Sequence, residues 1–451
     1  LLHITHDNGA HWEQVNPPDM PAWVMINCIE PSPLEKGVCY VTGTRYKSDD
    51  EQPYLYKTDD DGKHWKRIIN GLPPRAFTRC LRAHPTQKGL LFCGTELGMF
   101  ISFDDGKHWK PFQLNLPQVP VTDLLIKDND LIVATQGRGF WILDHLDYLL
   151  EVNEAIKDKP LYVFKPGKAY RMQGSRQARP VNEGMNPYPG LRLDYYLHTL
   201  HDTDQLRILI FNAHDSLLRS FSNHADKDDK LEAEEGMNVF NWDIRVKGVD
   251  KVEDMVLWNG NIGSYQVAPG TYNVHVVLNQ DSVTVPFTLM RDPTYDATDA
   301  DYQLQFAFLN QVRAKFESTQ RCIRDIRSVR SQLNTLKDKL GKEYPPALDS
   351  LAGAILKKLS RIEEHLYQTK AKSEQDVLNY PIRLNDKLSG IFDAANQQTA
   401  PSHSVQEAYA EVAGKIDLEL AGFQHVLSED LQAYNKAARE KEINLILLRK
   451  P

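Results

Sequence analysis

Thr58-Asp59-Asp60-Asp61-Gly62-Lys63-His64-Trp65 is the stretch on which the reading of this chain turns. It is one copy of a phrase, Ser/Thr-x-Asp-x-Gly-x-x-Trp, that also occurs as Thr5 to Trp12 and as Ser102 to Trp109. The phrase describes a turn. Its Asp (Asp7, Asp60, Asp104) accepts hydrogen bonds from backbone N–H groups, and its Gly (Gly9, Gly62, Gly106) takes a positive φ. Its Trp (Trp12, Trp65, Trp109) packs between neighbouring sheets. That job is architectural and carries no chemistry of its own.

The three Asp residues are spaced by 53 and then 44 residues, close to the roughly 40 to 50 residues of one four-stranded propeller blade. Between copies the chain alternates short apolar runs with Gly/Pro punctuation. Val24 to Glu30, Val38 to Thr42 and Tyr54 to Thr58 predict three strands of one blade, and Thr78 to Ala83, Leu90 to Thr95 and Met99 to Phe103 predict three of the next. A third unit, Val121 to Ile126, Leu131 to Thr135 and Phe140 to Leu143, lacks the phrase. About three blades are present, whereas propellers typically have about 4 to 8. An incomplete ring is therefore expected, its remaining blades coming from an upstream segment or a separate chain. The start, Leu1-Leu2-His3-Ile4, has no initiator Met and no signal-peptide pattern, so the chain reads as the C-terminal part of a longer polypeptide.

Residues 147–190 read as a connector containing a Gly-, Pro- and Arg-rich loop. From Leu191 to Asp292 short alternating strands return, consistent with an Ig-like β-sandwich with Trp242 as its core anchor. After Asp292-Pro293 the period changes to 3.6. Leu309, Val312, Phe316, Ile323, Ile326 and Leu333 form one stripe, and Leu348, Ile355, Leu359 and Leu366 a second. Pro381 opens a shorter helix and Ser404-x-x-Glu407 caps the last long one, so residues 293–451 predict a four-helix bundle. The fold class is thus multidomain: propeller blades over 1–146, sandwich over 191–292, helices to the end.

The three turn phrases, with Gly94 to Ser102 and the closing Ala134-Thr135-Gln136-Gly137-Arg138-Gly139-Phe140-Trp141, resemble the BNR/Asp-box repeat superfamily, which includes sialidases, xyloglucanases and sortilin-type receptors. The order of modules resembles large secreted proteins of Bacteroidetes-type bacteria labelled glycosyl hydrolases. The resemblance implies an extracytoplasmic propeller that binds a glycan or protein ligand; a glycoside hydrolase acting on polysaccharide or glycan, with its catalytic carboxylates largely in the missing upstream blades, is the alternative it leaves open.

If the turn phrase joins the third and fourth strands of each blade, ligands meet the other end. The loops there supply Trp23, Arg45, Tyr46, Arg75, Arg79, Gln136 and Arg138 as candidate binding residues, a mixture suited to sugar hydroxyls or an acidic group. Hydrolysis needs two carboxylates about 5 to 9.5 Å apart. Glu96 and Asp123 form the candidate pair; the competing reading is that each serves its own turn or strand end.

Net charge of −8, with no Lys/Arg stripe interleaved with aromatics, argues against nucleic acid. No apolar run approaches the roughly 20 residues of a membrane span, Ile443 to Leu448 included. No cofactor is called for. No metal is either: His11, His64 and His108 lie in different blades, and His198 with His201 lacks a second cluster. Cys28 with Cys39, and Cys80 with Cys93, lie on the arms of two predicted hairpins, compatible with disulfides or with buried thiols.

Overall fold

The computed structural model describes residues 1–172, 184, 188–258 and 263–443. Most of the connector's loop, and the apolar run after Ile443, lie outside the described residues. The chain divides into two compact units, Leu1–Glu154 and Ala155–Pro451.

Unit 1 is a succession of antiparallel sheets, each a hairpin meander. β1 (His3–Ile4) pairs with β2 (Glu13–Gln14). β3 (Met25–Pro31), β4 (Cys39–Arg45), β5 (Asp50–Thr58) and β6 (Lys66–Arg67) form a four-stranded sheet in chain order. β7 (Thr78–Ala83), β8 (Leu91–Thr95), β9 (Gly98–Ser102) and β10 (Lys110–Pro111) repeat it. β11 (Val121–Lys127), β12 (Asp130–Thr135) and β13 (Phe140–Leu143) form a three-stranded sheet, followed by a short helix, α1 (Asp147–Glu151). This is propeller-like architecture, and the central strands predicted from the sequence fall within a few residues of those observed.

The second and third phrase turns join the third to the fourth strand of their sheets, the first joins β1 to β2, and all three are built alike. In the second, Thr58 Oγ1 accepts from Gly62 N (2.9 Å) and donates to Asp60 Oδ1 (3.0 Å), which accepts from His64 N (2.9 Å). The His64 ring lies 2.6 Å from Asp60 Oδ2, and this contact above all holds the Asp60 carboxyl down to about 2. His11 and His108 pair with Asp7 and Asp104 in the same way, so each ring is held within its own turn.

Burial follows from which sheets have neighbours. Every residue of β8 and β9 is buried, because the middle sheet is covered on both faces. One face packs against β3–β6 through Leu55, Leu81, Cys93 and Trp109, the other against β11–β13 through Cys80, Phe92, Leu124 and Val133. β3 and β13 instead alternate, leaving Met25, Ile29, Phe140 and Ile142 exposed on their open faces.

That arrangement settles the cysteines: all five thiols are free. Cys28 pairs in register with Thr42, while Cys39 lies opposite Pro31, three residues further along. The offset is about 10 Å of strand, beyond the ~7 Å Cα limit of a disulfide. Cys80 and Cys93 are offset by a single residue, which points their side chains to opposite faces of the sheet and into different cores.

Unit 2 joins two sheets to a set of helices. β14 (Leu161–Val163), β16 (Leu191–Leu197) and β19 (Gly236–Trp242) form one sheet, in the order β14-β16-β19. β15 (Ala169–Arg171), β17 (Leu206–Asn212), β18 (Leu217–Ser222), β20 (Gly270–Leu278) and β21 (Asp281–Arg291) form the other, with β15 parallel to β21. α2 (Asp299–Leu340) opens on a Thr298–Asp301 capping box. It is followed by α3 (Pro346–Leu366), α4 (Leu384–Ala395), α5 (His403–His425), a single π-turn and α6 (Leu431–Arg439). The apolar stripes of the sheets and of the helices enter one continuous core, in which Trp242 meets Tyr272 and Phe287 edge-on.

Two helix starts differ from the sequence expectation. α4 opens at Leu384 rather than at Pro381, whose carbonyl accepts from Gln368 Nε2 (2.9 Å). The cap of α5 is Ser402, whose hydroxyl accepts from Val405 N (3.3 Å); Ser404 is already helical. Among the described residues no helix is long and apolar enough to cross a membrane.

A Cβ on Gly106 would stand 2.5 Å from Ile68 Cδ1, whereas one on Gly9 would meet only Trp12, at 3.8 Å; both glycines sit at positive φ. Gly9→Ala is therefore expected to cost about 1 kcal/mol from backbone strain alone. Gly106→Ala adds overpacking of about 1–3 kcal/mol. Urea denaturation of the two variants measures the difference.

Candidate functional site

Strand direction gives unit 1 two ends. The phrase turns share one end with the turns between first and second strands, since Asp61 N donates to Gly37 O (3.0 Å) and Asp105 N to Gly89 O (2.9 Å). The other end carries the segments entering β3, β7 and β11 and the loops joining second to third strands. Cross-links tie these together: Arg45 Nε donates to Ala22 O (3.1 Å), Glu96 N to Phe77 O (3.1 Å) and Gln136 N to Pro120 O (2.9 Å).

At this end the second and third sheets build a small aromatic and guanidinium stack. Tyr46 lies on Phe77 with ring centroids 5.2 Å apart and planes 14° from parallel. The Arg79 guanidinium covers both rings, 5.2 Å from Phe77 and 5.9 Å from Tyr46. Arg79 is held there by Glu96, through Nε at 2.7 Å and Nη2 at 2.5 Å. Arg45 is paired with Asp50 (3.1 Å) and Arg75 with Glu51 (2.5 Å). Burial works against the charge of Asp50, but the Tyr54 hydroxyl, Gln52 N and Arg45 outweigh it and hold the carboxyl below its ordinary value. The Arg75 contact similarly lowers Glu51.

Trp23 stands apart from the stack. It enters β3 in the left-handed backbone region (φ 69°) and is 88% exposed. A bulky residue held at positive φ costs about 1–3 kcal/mol, and such strain concentrates at functional positions. Gln136 and Arg138 lie on the exposed loop between β12 and β13, where Arg138 Nη1 donates to Gly137 O (2.9 Å). The sequence reading did not nominate Phe77, Leu97, Leu114 or Phe140. Phe77 completes the stack, and the other three are exposed apolar side chains at this end, Phe140 to 80%. The only available signal was that each adjoins a nominated loop.

The two candidate carboxylates fall in different clusters. Glu96 belongs to the Arg79 stack. Asp123 joins a group formed by the first strands of three consecutive sheets, in which Arg82 of β7 reaches Asp123 of β11 (2.8 Å), Glu30 of β3 (3.5 Å) and the Cys28 sulfur (3.0 Å). Glu30 also accepts from Ala83 N (3.1 Å). Burial raises the Glu30 carboxyl above its ordinary value despite these contacts. Asp123 Oδ1 further accepts from Leu124 N (2.9 Å). Among the described residues no three His, Cys, Asp or Glu side chains gather as a metal site would require.

No family model matches the chain, and no curated protein does. Among solved structures, YCF48 bound to a D1 peptide aligns at 13% identity over 63% of this chain and 74% of its own, with a TM-score of 0.25. YCF48 from Cyanidioschyzon merolae aligns at 15% identity over 30% of this chain and 57% of its own (TM-score 0.20). An ancestral GH74 enzyme aligns at 14% over 61% and 32% (TM-score 0.22). The chain thus spans little more than half of the second structure and a third of the third. At such TM-scores the likenesses carry no argument, and the propeller-like reading rests on the strand pairing described above.

Removing Arg82 strands Glu30 beside Asp123. The attraction that lowers Glu30 is lost, so its folded-state carboxyl rises further above the unfolded value. A raised carboxyl costs stability above its folded-state value, and that cost disappears as pH falls through it. Arg82→Met is therefore expected to destabilise by about 2 kcal/mol at pH 7 and by clearly less at pH 4, measured by urea denaturation at both.

Proposed function

We propose that unit 1 is a binding module and that the end opposite the phrase turns is its ligand face. The observation carrying this reading is Trp23, an almost fully exposed indole held in a strained backbone conformation beside Arg45, whose Nε bonds the carbonyl of Ala22. An exposed aromatic of this kind supplies stacking area for a sugar ring or for an extended peptide. The Tyr46–Phe77–Arg79 stack and exposed Leu97, Leu114 and Phe140 extend the apolar character of the same end. The ligand is a glycan or a protein segment, and the sheets and helices of unit 2 act as an accessory module.

A glycoside hydrolase with its catalytic carboxylates largely in further blades is the second reading, and Glu96 and Asp123 are the pair this chain would contribute. Against it, each carboxylate already binds a different arginine of β7, Arg79 or Arg82. Extracytoplasmic placement rests on the resemblance of the repeats alone. The proposal also includes an incomplete ring completed by further blades and an Ig-like pairing of the two sheets of unit 2.

A glycan array and an extended-peptide library, screened with the whole chain, provide the test. Hits should bind at least tenfold more weakly to Trp23→Ala and Tyr46→Ala while the melting temperature stays within about 2 °C. Hits that ignore both substitutions would remove this face from the reading. Polysaccharide hydrolysis lost in both Glu96→Gln and Asp123→Asn would favour the enzyme instead.

A further inference from the structure

The second and third phrase turns close joints between consecutive sheets of unit 1, and the first presents the same groups uncovered. In the second turn Trp65 Nε1 donates to Val15 O (2.8 Å), and a Cβ on Gly62 would lie 2.8 Å from Val15 Cβ. In the third, Trp109 Nε1 donates to Ile68 O (2.8 Å), and Gly106 stands equally close over Ile68. The two contacts are in register. Val15 is the residue immediately after β2 and Ile68 the residue immediately after β6, each an outermost strand. A buried indole needs an acceptor for its N–H, and a turn with no side chain at the Gly leaves a slot for one branched aliphatic group.

The first turn is formed just as well. Gly9 N donates to Thr5 Oγ1 (2.8 Å) and His11 N to Asp7 Oδ1 (2.8 Å). Yet Trp12 is 62% exposed, its Nε1 is turned onto Gly9 O of its own turn (3.1 Å), and a Cβ on Gly9 would meet only the ring of Trp12 itself, at 3.8 Å.

We propose that the first turn is a docking face for a further antiparallel sheet of the same kind. That sheet's outermost strand is followed by an aliphatic residue, which fills the slot over Gly9 and offers its carbonyl to Trp12 Nε1. A second copy of this chain does not fit. Its aliphatic residues after outer strands, Val15 and Ile68, are already covered by Trp65 and Trp109. The third outer strand, β10, is followed by Phe112, which packs into the core between the second and third four- and three-stranded sheets. The partner therefore brings its own sheet. This inference is independent of the ligand face.

The test places a photo-crosslinking benzoylphenylalanine at position 12, and separately at position 65 as a control, in the protein made by its own cells, with adducts mapped by mass spectrometry. The control is expected to cross-link to the segment around Val15. Position 12 is expected to cross-link, at a yield within about threefold of the control, to a peptide outside residues 1–451 that carries an aliphatic residue just after a short strand of an Asp–Gly–Trp repeat. Adducts confined to residues 1–451, or none while the control reacts, would overturn the proposal. So would the isolated chain itself: Trp12→Ala should leave its urea midpoint unchanged and Trp109→Ala should lower it, and an equal loss in both would mean that Trp12 is already packed.

Discussion

The hydrogen bond from an indole N–H to the backbone carbonyl just past the preceding sheet's last strand is the contact on which unit 1 depends. Trp109 is 3% exposed, and burying so large a ring contributes several kcal/mol only if its N–H keeps a partner. Ile68 O is that partner. Because the acceptor belongs to the backbone, the contact fixes one sheet against the next without specifying a side chain on the far side. Asp105, the turn residue beside the Gly, adds a second tie by accepting from the Tyr40 hydroxyl (2.5 Å) and from Lys57 (2.7 Å) of the preceding sheet. The Ser/Thr–Asp network inside each turn holds the Trp and Gly in their mutual geometry, so the turn works as a preformed joint.

Much of this was legible beforehand, for a physical reason. Turn chemistry is local: Asp, Gly and Trp at fixed spacing dictate one conformation wherever they occur, and strands long enough to show alternation announce themselves. The outermost strands were not legible. Lys66–Arg67 and Lys110–Pro111 are two residues each, too short for any period, and they exist only because β5 and β9 offer free edges. The cysteine register was equally hidden, since bulges between Ile26 and Cys28 and between Thr78 and Cys80 shift pairing by one residue. At the candidate site, loop positions gave Tyr46, Arg79 and Glu96, but that Phe77 would stack on Tyr46 depends on two sheets meeting. Arg82 went unnoticed because a charged residue in a strand reads as solvent-facing; only the convergence of three first strands makes it central.

Unit 2 shows the same limit. Its sequence divides at Asp292-Pro293 where the period changes, yet one core crosses that boundary. The tie is Arg171, the last residue of β15 and 1% exposed. Its guanidinium donates to Val267 O (3.0 Å), Gln305 Oε1 of α2 (2.8 Å) and Gln398 Oε1 beyond α4 (2.5 Å), over the Tyr302 ring at 4.4 Å. Burial lowers its ionisation to about 10, which still leaves it charged at neutral pH. A buried cation is tolerable when fixed dipoles face its N–H groups, and here those dipoles come from a helix and two loops at once. Sequence patterning cannot foresee this, because each contributor is an ordinary Gln or carbonyl.

The proposed ligand face carries a related logic in its charges. Arg45, Arg75 and Arg79 each have a carboxylate of the same end within 3.1 Å, Asp50, Glu51 and Glu96 respectively. Cations neutralised in pairs create little net field, so they neither steer an acidic ligand from a distance nor leave a carboxylate unengaged for proton transfer. What pairing does provide is orientation: Glu96 holds the Arg79 plane over Phe77 and Tyr46, turning a flexible side chain into part of a rigid stacked surface. Shape and stacking, with a few fixed N–H donors at the rim, are therefore the recognition elements this end offers, and these suit binding more directly than bond cleavage.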